Sequence, residues 1–587
     1  MGVTPGLAID TKHFANEPLA LVTAALRSLT VSNPSVALDE AQKTVFLKSA
    51  VTSPNVAIIS GGGSGHEPAF AGFVGKALLS GAVAGSIFAS PSADQVYRAI
   101  LRLGAQRREA GVLVVIMNYT GDKLHFGMAV EKARAAGIRC ELLVVGDDVG
   151  VGRARGGRIG RRGLAGTVLV QKIAGALASQ GRDLGEVYKT AASVADNIAT
   201  VGASLAHVHV PGRAAAADEL DTNDEIEIGM GIHNEEGFGR VKTDLPGLVK
   251  TMLAQLLDQS DKDRAYIGVN KGDDVVLLVN NLGGLSVLEL GAAANEVVSQ
   301  LASTYGVAPK RVLAGTYMSS LNGLGFSVTL LKLTDPAWLS LIDAPTEASG
   351  WLPAVNPTES TDGPSVVTDD LAEEEKPQPS NLRVDGAATK AALASGLKSV
   401  IAAEPEVTKY DTLVGDGDCG LCLKTAAEAV LAHLDAQSNP ETDAARLVDE
   451  LALVVERNMD GTSGALYAIY LNALAHGLRQ QTASGEATPA VWAAALQSAS
   501  TALGRYTPAQ PGDRTVVDAL APFVATFAET GSLASAVEAA RKGCESTKGM
   551  EASLGRSVYV GGEEFKNCPD PGAYGFLKLV EGFAAQS

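Results

Sequence analysis

Cysteine is scarce in this chain, with five among 587 residues. So few thiols exclude a disulfide-stapled secreted scaffold and point to a reducing cytoplasm as the expected setting. Basic residues are also outnumbered: 48 Lys and Arg face 66 Asp and Glu, giving a formal net charge of −18 and a pI near 5.0. That balance argues against a nucleic-acid or anionic-membrane surface, either of which needs clustered cations. Long apolar runs are missing as well. Gly, Lys, Asp or Glu interrupts every candidate before the roughly 20 residues that span a bilayer. A charged start followed by an apolar signal core is absent. The opening Met-Gly-Val-Thr-Pro-Gly lacks the later hydroxyl residue of a myristoylation signal, and the closing Ala-Gln-Ser is no evident address.

What is present is enough chain for at least two domains. Hydrophobic residues make up 46% and charged residues 19%, which is ordinary globular usage, and 64 glycines imply many tight turns or close approaches. From Asn55 to about Leu333, buried-strand runs alternate with helical segments: Val56 to Ile59, Ala82 to Ala89, Val112 to Met117, Cys140 to Val145, Val275 to Val279 and Phe326 to Leu331. The expected fold of residues 1–350 is α/β, in two subdomains. Residues 351–382 change character, with several prolines and the acidic cluster Asp369, Asp370, Glu373, Glu374 and Glu375, and read as a solvated linker. Residues 383–587 carry about eight Ala/Leu-rich segments of helical spacing, predicting an all-α domain, an antiparallel bundle or helical barrel with its ligands at one end.

In the first domain, Ser60-Gly-Gly-Gly-Ser-Gly-His-Glu-Pro68 follows an apolar strand and precedes a helical pattern, so a ligand loop exposing backbone N–H groups is expected at a carboxyl strand end. It is neither a Walker loop, which needs a Gly-Lys-Ser/Thr ending, nor a dinucleotide fingerprint, whose spacing it breaks. Asn118-Tyr-Thr-Gly-Asp-Lys123 ends the next strand in the same way, bringing Asp122 toward the crevice of His66. Gly229-Met-Gly-Ile-His-Asn-Glu-Glu-Gly237 places His233 among glycines after a strand-like run. Each histidine alone is compatible with a structural role. Three such loops in one domain point to a shared site.

In the second domain, Asp411-Thr-Leu-Val-Gly-Asp-Gly-Asp-Cys-Gly420 sets three carboxylates on a glycine-containing turn. One Asp-Gly is an ordinary turn former; three acidic groups this close repel unless a divalent ion neutralises them, and hard oxygen ligands suit Mg²⁺. The spacing is not that of an EF-hand. Cys419 and Cys422 form a C-x-x-C, but inside this Asp/Gly run rather than in a redox context.

The runs Gly61 to Pro68, Phe88-Ala-Ser-Pro91, Asn118 to Lys123, Gly160-Arg-Arg-Gly-Leu-Ala-Gly-Thr167 and Gly229 to His233 resemble the substrate domain of the dihydroxyacetone kinases. Gly415-Asp-Gly-Asp418, Gly461-Thr-Ser-Gly464, Gly512-Asp-Arg-Thr515, Gly555-Arg556 and Asp570-Pro-Gly-Ala573 resemble the nucleotide domain of the fused members of that family, so the resemblance covers nearly the whole chain. It implies an ATP- and Mg²⁺-dependent kinase of glycerol metabolism acting on dihydroxyacetone and glyceraldehyde, cytoplasmic and homodimeric. It further implies that His233 binds the ketone covalently as a hemiaminal, that Asp122 is the general base, and that His66 hydrogen-bonds or protonates the substrate oxygen. Gly63, Ser90 and Lys123 fall at substrate-binding positions. Asp411, Asp416 and Asp418 would hold the metal ions, with Thr462, Ser463, Arg556, Leu421, Cys422, Asp570 and Gly572 at nucleotide-binding positions. The sequence departs from the family pattern at Asp460, where glycine is common, and at Leu421 and Cys422, where hydroxyl residues are common.

Other readings stay open at this level. Some fused relatives also act as a lyase on FAD, releasing AMP and a cyclic flavin phosphate. A non-catalytic ketone-binding regulator would keep the first site without needing the metal ligands, and a dehydrogenase is suggested by the glycine run alone.

Overall fold

A computed structural model describes residues 13–15, 17–212, 225–352, 378–554 and 567–586. The chain divides into two compact units, Met1–Ser365 and Val366–Ser587. Of the expected linker, residues 353–377 lie outside the described residues.

Among the described residues the first unit holds two six-stranded sheets. After helix α1 (Pro18–Ser32), the first sheet takes β1 (Val36–Asp39), β2 (Thr44–Leu47), β3 (Ala57–Ser64), β4 (Gly81–Ile87), β5 (Val112–Met117) and β6 (Cys140–Val145), in the order β1-β2-β4-β3-β5-β6. Strands β4, β3, β5 and β6 run parallel, whereas β1 and β2 join antiparallel at one edge. Every residue of β5 is buried, as expected of a parallel strand covered on both faces. Helices α2 (Ala93–Gly104) and α3 (Thr120–Ala135) alternate with these strands. A single turn, α4 (Arg153–Gly156), precedes α5 (Thr167–Ser179) and α6 (Leu184–Asp196), and α5 is buried along almost its whole length.

The second sheet has β7 (Ile198–Ser204), β8 (Ile226–Ile228), β9 (Gly239–Val241), β10 (Val275–Asn281), β11 (Arg311–Gly315) and β12 (Gly325–Lys332), ordered β11-β10-β12-β7-β8-β9. Its helices are α7 (Leu245–Leu257), α8 (Val287–Gln300) and α9 (Ala337–Asp343). Two α/β subdomains are therefore present as expected, but only the β10–β11 pair of this sheet is parallel. The rule placing ligands at carboxyl strand ends of open parallel sheets thus serves the first sheet alone.

One expectation fails locally. Residues 60–64 are not a loop but the end of β3, and the segment after them forms a single 3₁₀ turn, Ala71–Phe73, rather than a helix. The glycines serve backbone contact: a Cβ on Gly61 would lie 2.2 Å from the Val83 carbonyl oxygen, and one on Gly63 would lie 2.7 Å from the Ala89 nitrogen. No side chain fits between these strands, so the glycines let the backbones pack closely here.

The second unit is all-helical apart from a short parallel pair, β13 (Leu382–Arg383) with β14 (Gly485–Glu486). Among the described residues its eight helices are α10 (Gly386–Val414), α11 (Cys419–Ala436), α12 (Ala444–Asn458), α13 (Gly461–Arg479), α14 (Pro489–Leu503), α15 (Val517–Thr530), α16 (Leu533–Ser546) and α17 (Pro571–Ala584). Each packs on the next, and α17 closes on α10, so of the two expected arrangements the ring is the one formed. Helix α10 continues through Pro405 and thereby carries Asp411 on its last turn. Among the described residues, no helix is long and apolar enough to cross a membrane.

Candidate active site

In the first sheet, β3 and β5 are neighbours whose onward connections diverge, which makes a crevice at their carboxyl ends. His66 leaves β3 and Asp122 stands in the first turn of α3 immediately after β5. The second sheet supplies the remaining wall. Between β11 and β12 the chain runs along the His66 segment, where Ser319 N donates to His66 O and Leu321 N to Gly65 O. The loop after β8 brings in His233.

The two imidazoles meet edge to face, with ring centroids 4.8 Å apart and His66 Nε2 3.0 Å from His233 Nε2. His66 is fully buried, and its Nδ1 donates to the Ser319 carbonyl oxygen at 2.9 Å. Burial, and then the neighbouring His233, push its pKa down to about 3, so the ring is neutral at physiological pH. Glu235 grips His233 twice: Oε1 lies 2.9 Å from Nδ1, and Oε2 accepts the His233 backbone N–H at 2.9 Å. Burial alone would raise the Glu235 pKa, but the hydrogen bonds and charge of His233 hold it down at about 2. Phe88 stacks on His66 and, like Tyr119, meets the His233 ring edge to face.

Asp122 is buried, and one of its carboxylate oxygens has no hydrogen-bond partner among the described residues. Burial raises its pKa to about 6, with Ser90 and His233 opposing the rise. Gly62 lies beside it, where a Cβ would crowd the Phe70 ring at 3.1 Å and stand 3.6 Å from Asp122 Oδ2, and Gly63 backs onto Phe88 and Ala89. His66, Asp122, His233, Gly63 and Ser90 are thus gathered in one place. Lys123 is not part of that cluster; it stands exposed on α3, its backbone N–H donating to Tyr119 O and its side chain making no hydrogen bond or ion pair among the described residues.

Behind the His233 loop lies a buried ion pair, Arg162 Nε to Asp148 Oδ2 at 2.6 Å, from which Arg162 also donates to the Gly229 carbonyl at 2.7 Å. Glu227 Oε1 accepts from Gly237 N at 2.7 Å and fixes the loop's far end.

The second centre lies in the helical unit, in a cavity of about 550 Å³. Asp411, Asp416 and Asp418 present ligand oxygens within 4.8 Å of one another. The turn expected to hold all three holds only two, because Asp411 belongs to α10. Thr462 and Ser463 stand in the first turn of α13 and line the same cavity, and the first N–H groups of a helix have no partner within it. Hard oxygen donors opposite a helix N-terminus fit a magnesium-bound polyphosphate. Asp570 and Gly572 line the cavity at the start of α17, where burial and the nearby carboxylates raise the Asp570 pKa to about 7. Cys422 lines it too, whereas Leu421 is exposed and does not line it. Asp460 lies on the wall at the α13 N-cap position without capping through its side chain. Arg556 lies outside the described residues. Burial pushes the Cys419 thiol up to about 12 and raises Cys422 as well, which suppresses thiolate chemistry in the C-x-x-C.

Comparison with known proteins agrees with this geometry. Residues 27–350 match the Dak1 domain and residues 413–585 the DAK2 domain. The chain belongs to the dihydroxyacetone kinase family. It is 44% identical to a dihydroxyacetone kinase of Pichia angusta over 604 residues, covering 98% of each chain. It is 38% identical to the triokinase/FMN cyclase of Homo sapiens, covering 96% of this chain and 97% of that one. Among solved structures, the dihydroxyacetone kinase of C. freundii in complex with AMP-PNP and Mg²⁺ is similar at a TM-score of 0.62 and 31% identity, over 98% of this chain and all of that one.

Against this family frame, sequence reasoning left Glu235, Phe88 and Ser319 without roles. Glu235 lies two residues after His233, a visible signal. Ser319 acts through its carbonyl, which no side-chain pattern announces.

Proposed function

We propose that this chain is an ATP-dependent dihydroxyacetone kinase that captures the ketone on Nε2 of His233 before the terminal hydroxyl is phosphorylated. The observation carrying this reading is the state of the His233 ring, whose Nδ1 is fixed by Glu235 and whose Nε2 is left to His66 and the substrate. A fixed imidazole nitrogen adds to a carbonyl carbon and cannot add to a plain polyol, so the chemistry selects ketones and aldehydes, glyceraldehyde included. Covalent capture also holds the terminal hydroxyl still for reaction. Asp122 accepts the hydroxyl proton; with a pKa near 6 it is ionised at neutral pH yet basic enough to help. His66 donates to the oxygen that was the carbonyl.

In the helical unit, Asp411, Asp416 and Asp418 would hold Mg²⁺, and the α13 N-terminus with Thr462 and Ser463 would orient phosphate oxygens. Magnesium-ATP bound there supplies the γ-phosphoryl group, with the metal offsetting its charge. Turnover requires the two half-sites to meet, within one chain or between the copies of a homodimer, in a reducing cytoplasm.

The test is a coupled ADP-release assay of the purified protein with ATP, Mg²⁺ and dihydroxyacetone, with glyceraldehyde and glycerol arms and an FAD arm containing Mn²⁺. Turnover with both trioses and none with glycerol is expected. His233→Ala should remove ketone selectivity while leaving ADP binding intact, and unchanged discrimination against glycerol in that variant would overturn the assignment.

A further inference from the structure

The hydrogen bonds along Ser319, His66, His233 and Glu235 form one continuous chain, and its protons can be counted. A carbonyl oxygen accepts only, so the 2.9 Å contact with Ser319 O requires a proton on His66 Nδ1. An ionised carboxylate also accepts only, so the 2.9 Å contact with Glu235 requires a proton on His233 Nδ1. Two neutral rings have then spent both of their ring protons. The remaining link, Nε2 to Nε2 at 3.0 Å, would set two lone pairs against each other. It becomes a hydrogen bond only if it contains one further proton.

The surroundings decide which ring carries the resulting charge. His66 is fully buried, with Phe88 on its face and, among the described residues, no carboxylate in hydrogen-bond contact. His233 is partly exposed and bonded to Glu235, with Tyr119 and Phe88 at its ring. The other charged groups facing it are Asp122 from α3 and, beyond Glu235, the Arg162–Asp148 pair. Burial that holds His66 neutral and a carboxylate that stays ionised agree with this placement.

We propose that Glu235 is the positioning residue that keeps His233 an imidazolium in the ligand-free site, and that its Nε2 proton is the one delivered to the substrate oxygen. This rests on the covalent capture proposed above. As the ketone arrives, the bridge proton moves from His233 Nε2 to His66 Nε2. The freed Nε2 lone pair forms the N–C bond, the carbonyl π pair moves to oxygen, and that oxygen takes the proton from His66. His66 ends neutral, as it began. His233 ends as an N-alkylated imidazolium with Nδ1–H still on Glu235, so the charge of the pair is unchanged and no outside acid is needed. Retaining the same charge before and after addition is what makes a fixed carboxylate useful here.

The experiment is ¹⁵N NMR of the histidine rings in the full-length, ligand-free protein, with His66→Ala and His233→Ala used for assignment. At pH 7.5 the expected result is an imidazolium pattern for His233 and a neutral, Nδ1-protonated pattern for His66. Glu235→Gln should lose the imidazolium pattern at that pH, and Glu235→Asp should retain it if the Gln variant proves unfolded by circular dichroism. A neutral His233 in the wild-type protein, or an imidazolium that survives in folded Glu235→Gln, overturns the proposal. Covalent capture is read separately from the ¹³C resonance of [2-¹³C]dihydroxyacetone. Loss of that adduct signal with the imidazolium intact would sink capture while leaving the proton assignment standing.

Discussion

Oδ2 of Asp411 accepts the backbone N–H of Cys419 at 3.0 Å, so the carboxylate on the last turn of α10 also ties down the first turn of α11. The same residue's carbonyl accepts from Gly415 N at 2.6 Å, which folds the turn carrying Asp416 and Asp418 back beneath it. Asp411 is therefore a metal-ligand candidate and a structural clamp at once.

Two substitutions separate those roles. Asp411→Asn keeps an oxygen that can accept from Cys419 but removes a charge from the trio; Asp411→Ala removes both. The Ala variant is expected to unfold about 1–2 kcal/mol more easily than the Asn variant, the usual worth of a helix-start acceptor. Both should lose at least about tenfold in Mg²⁺-dependent ADP affinity, because three close carboxylates offset a divalent charge that two offset less well. Calorimetric titration with thermal melts checks both, and equal stability of the two variants would show that the clamp contributes nothing.

Gly65 makes a sharper structural prediction. Its φ is +105°, a conformation other residues avoid, and a Cβ there would lie 2.8 Å from the Phe88 ring that stacks on His66. Gly65→Ala is expected to destabilise the first unit by about 1–3 kcal/mol through strain and overpacking. Displacing Phe88 should also raise KM for dihydroxyacetone more than KM for ATP. Equal changes in both would mean that the damage is global.

Much of this was visible in the sequence where a single physical rule dominates. The apolar run Val112–Met117 is a strand with those bounds because a parallel strand buried on both faces admits no polar interruption, and Cys140–Val145 keeps its bounds too, its edge position leaving Glu141 only partly buried. The eight helices of the second unit follow from Ala/Leu periodicity. The Gly61–Gly63 run misled because a glycine needed for ligand approach and one needed for strand contact look alike in sequence; only the position of Val83 and Ala89 tells them apart. Pro405 likewise gave no sign that α10 would pass through it, since tertiary packing on α11 and α17 outweighs the local break. The hydrogen-bond chain from Ser319 to Glu235 joins residues 253 positions apart at its first link, and no local pattern encodes that.

Asp460 sets an electrostatic expectation. It lies on the cavity wall at the start of α13 without a side-chain cap bond, so its charge opposes an anion held at the same helix N-terminus. Asp460→Asn is expected to lower KM for Mg-ATP two- to tenfold at low ionic strength, on the order of 0.5–1.4 kcal/mol. The gain should shrink as salt screens it. A raised KM would instead make Asp460 a further metal or nucleotide contact.

The last prediction concerns Asp122, where stability and function pull apart. Its pKa rises from the ordinary 3.8 to about 6 because burial disfavours the charged form. The folded protein therefore holds this proton more tightly than the unfolded chain does. The sign follows: the group's contribution to stability is most favourable below pH 3.8, declines as pH climbs through the window to about 6, and stays low above it. Over that window the loss reaches about 3 kcal/mol, at about 1.4 kcal/mol per pH unit. Asp122→Asn cannot ionise, so it should melt higher than the wild-type protein at pH 7.5, with the gap closing as pH falls toward 4. Turnover should move the other way, rising with pH through about 6 in the wild-type enzyme and dropping about 10²–10⁴-fold in the variant. A stabilised but inactive variant would mark Asp122 as a charge buried for catalysis, whereas a destabilised one would show that its carboxylate holds the fold together.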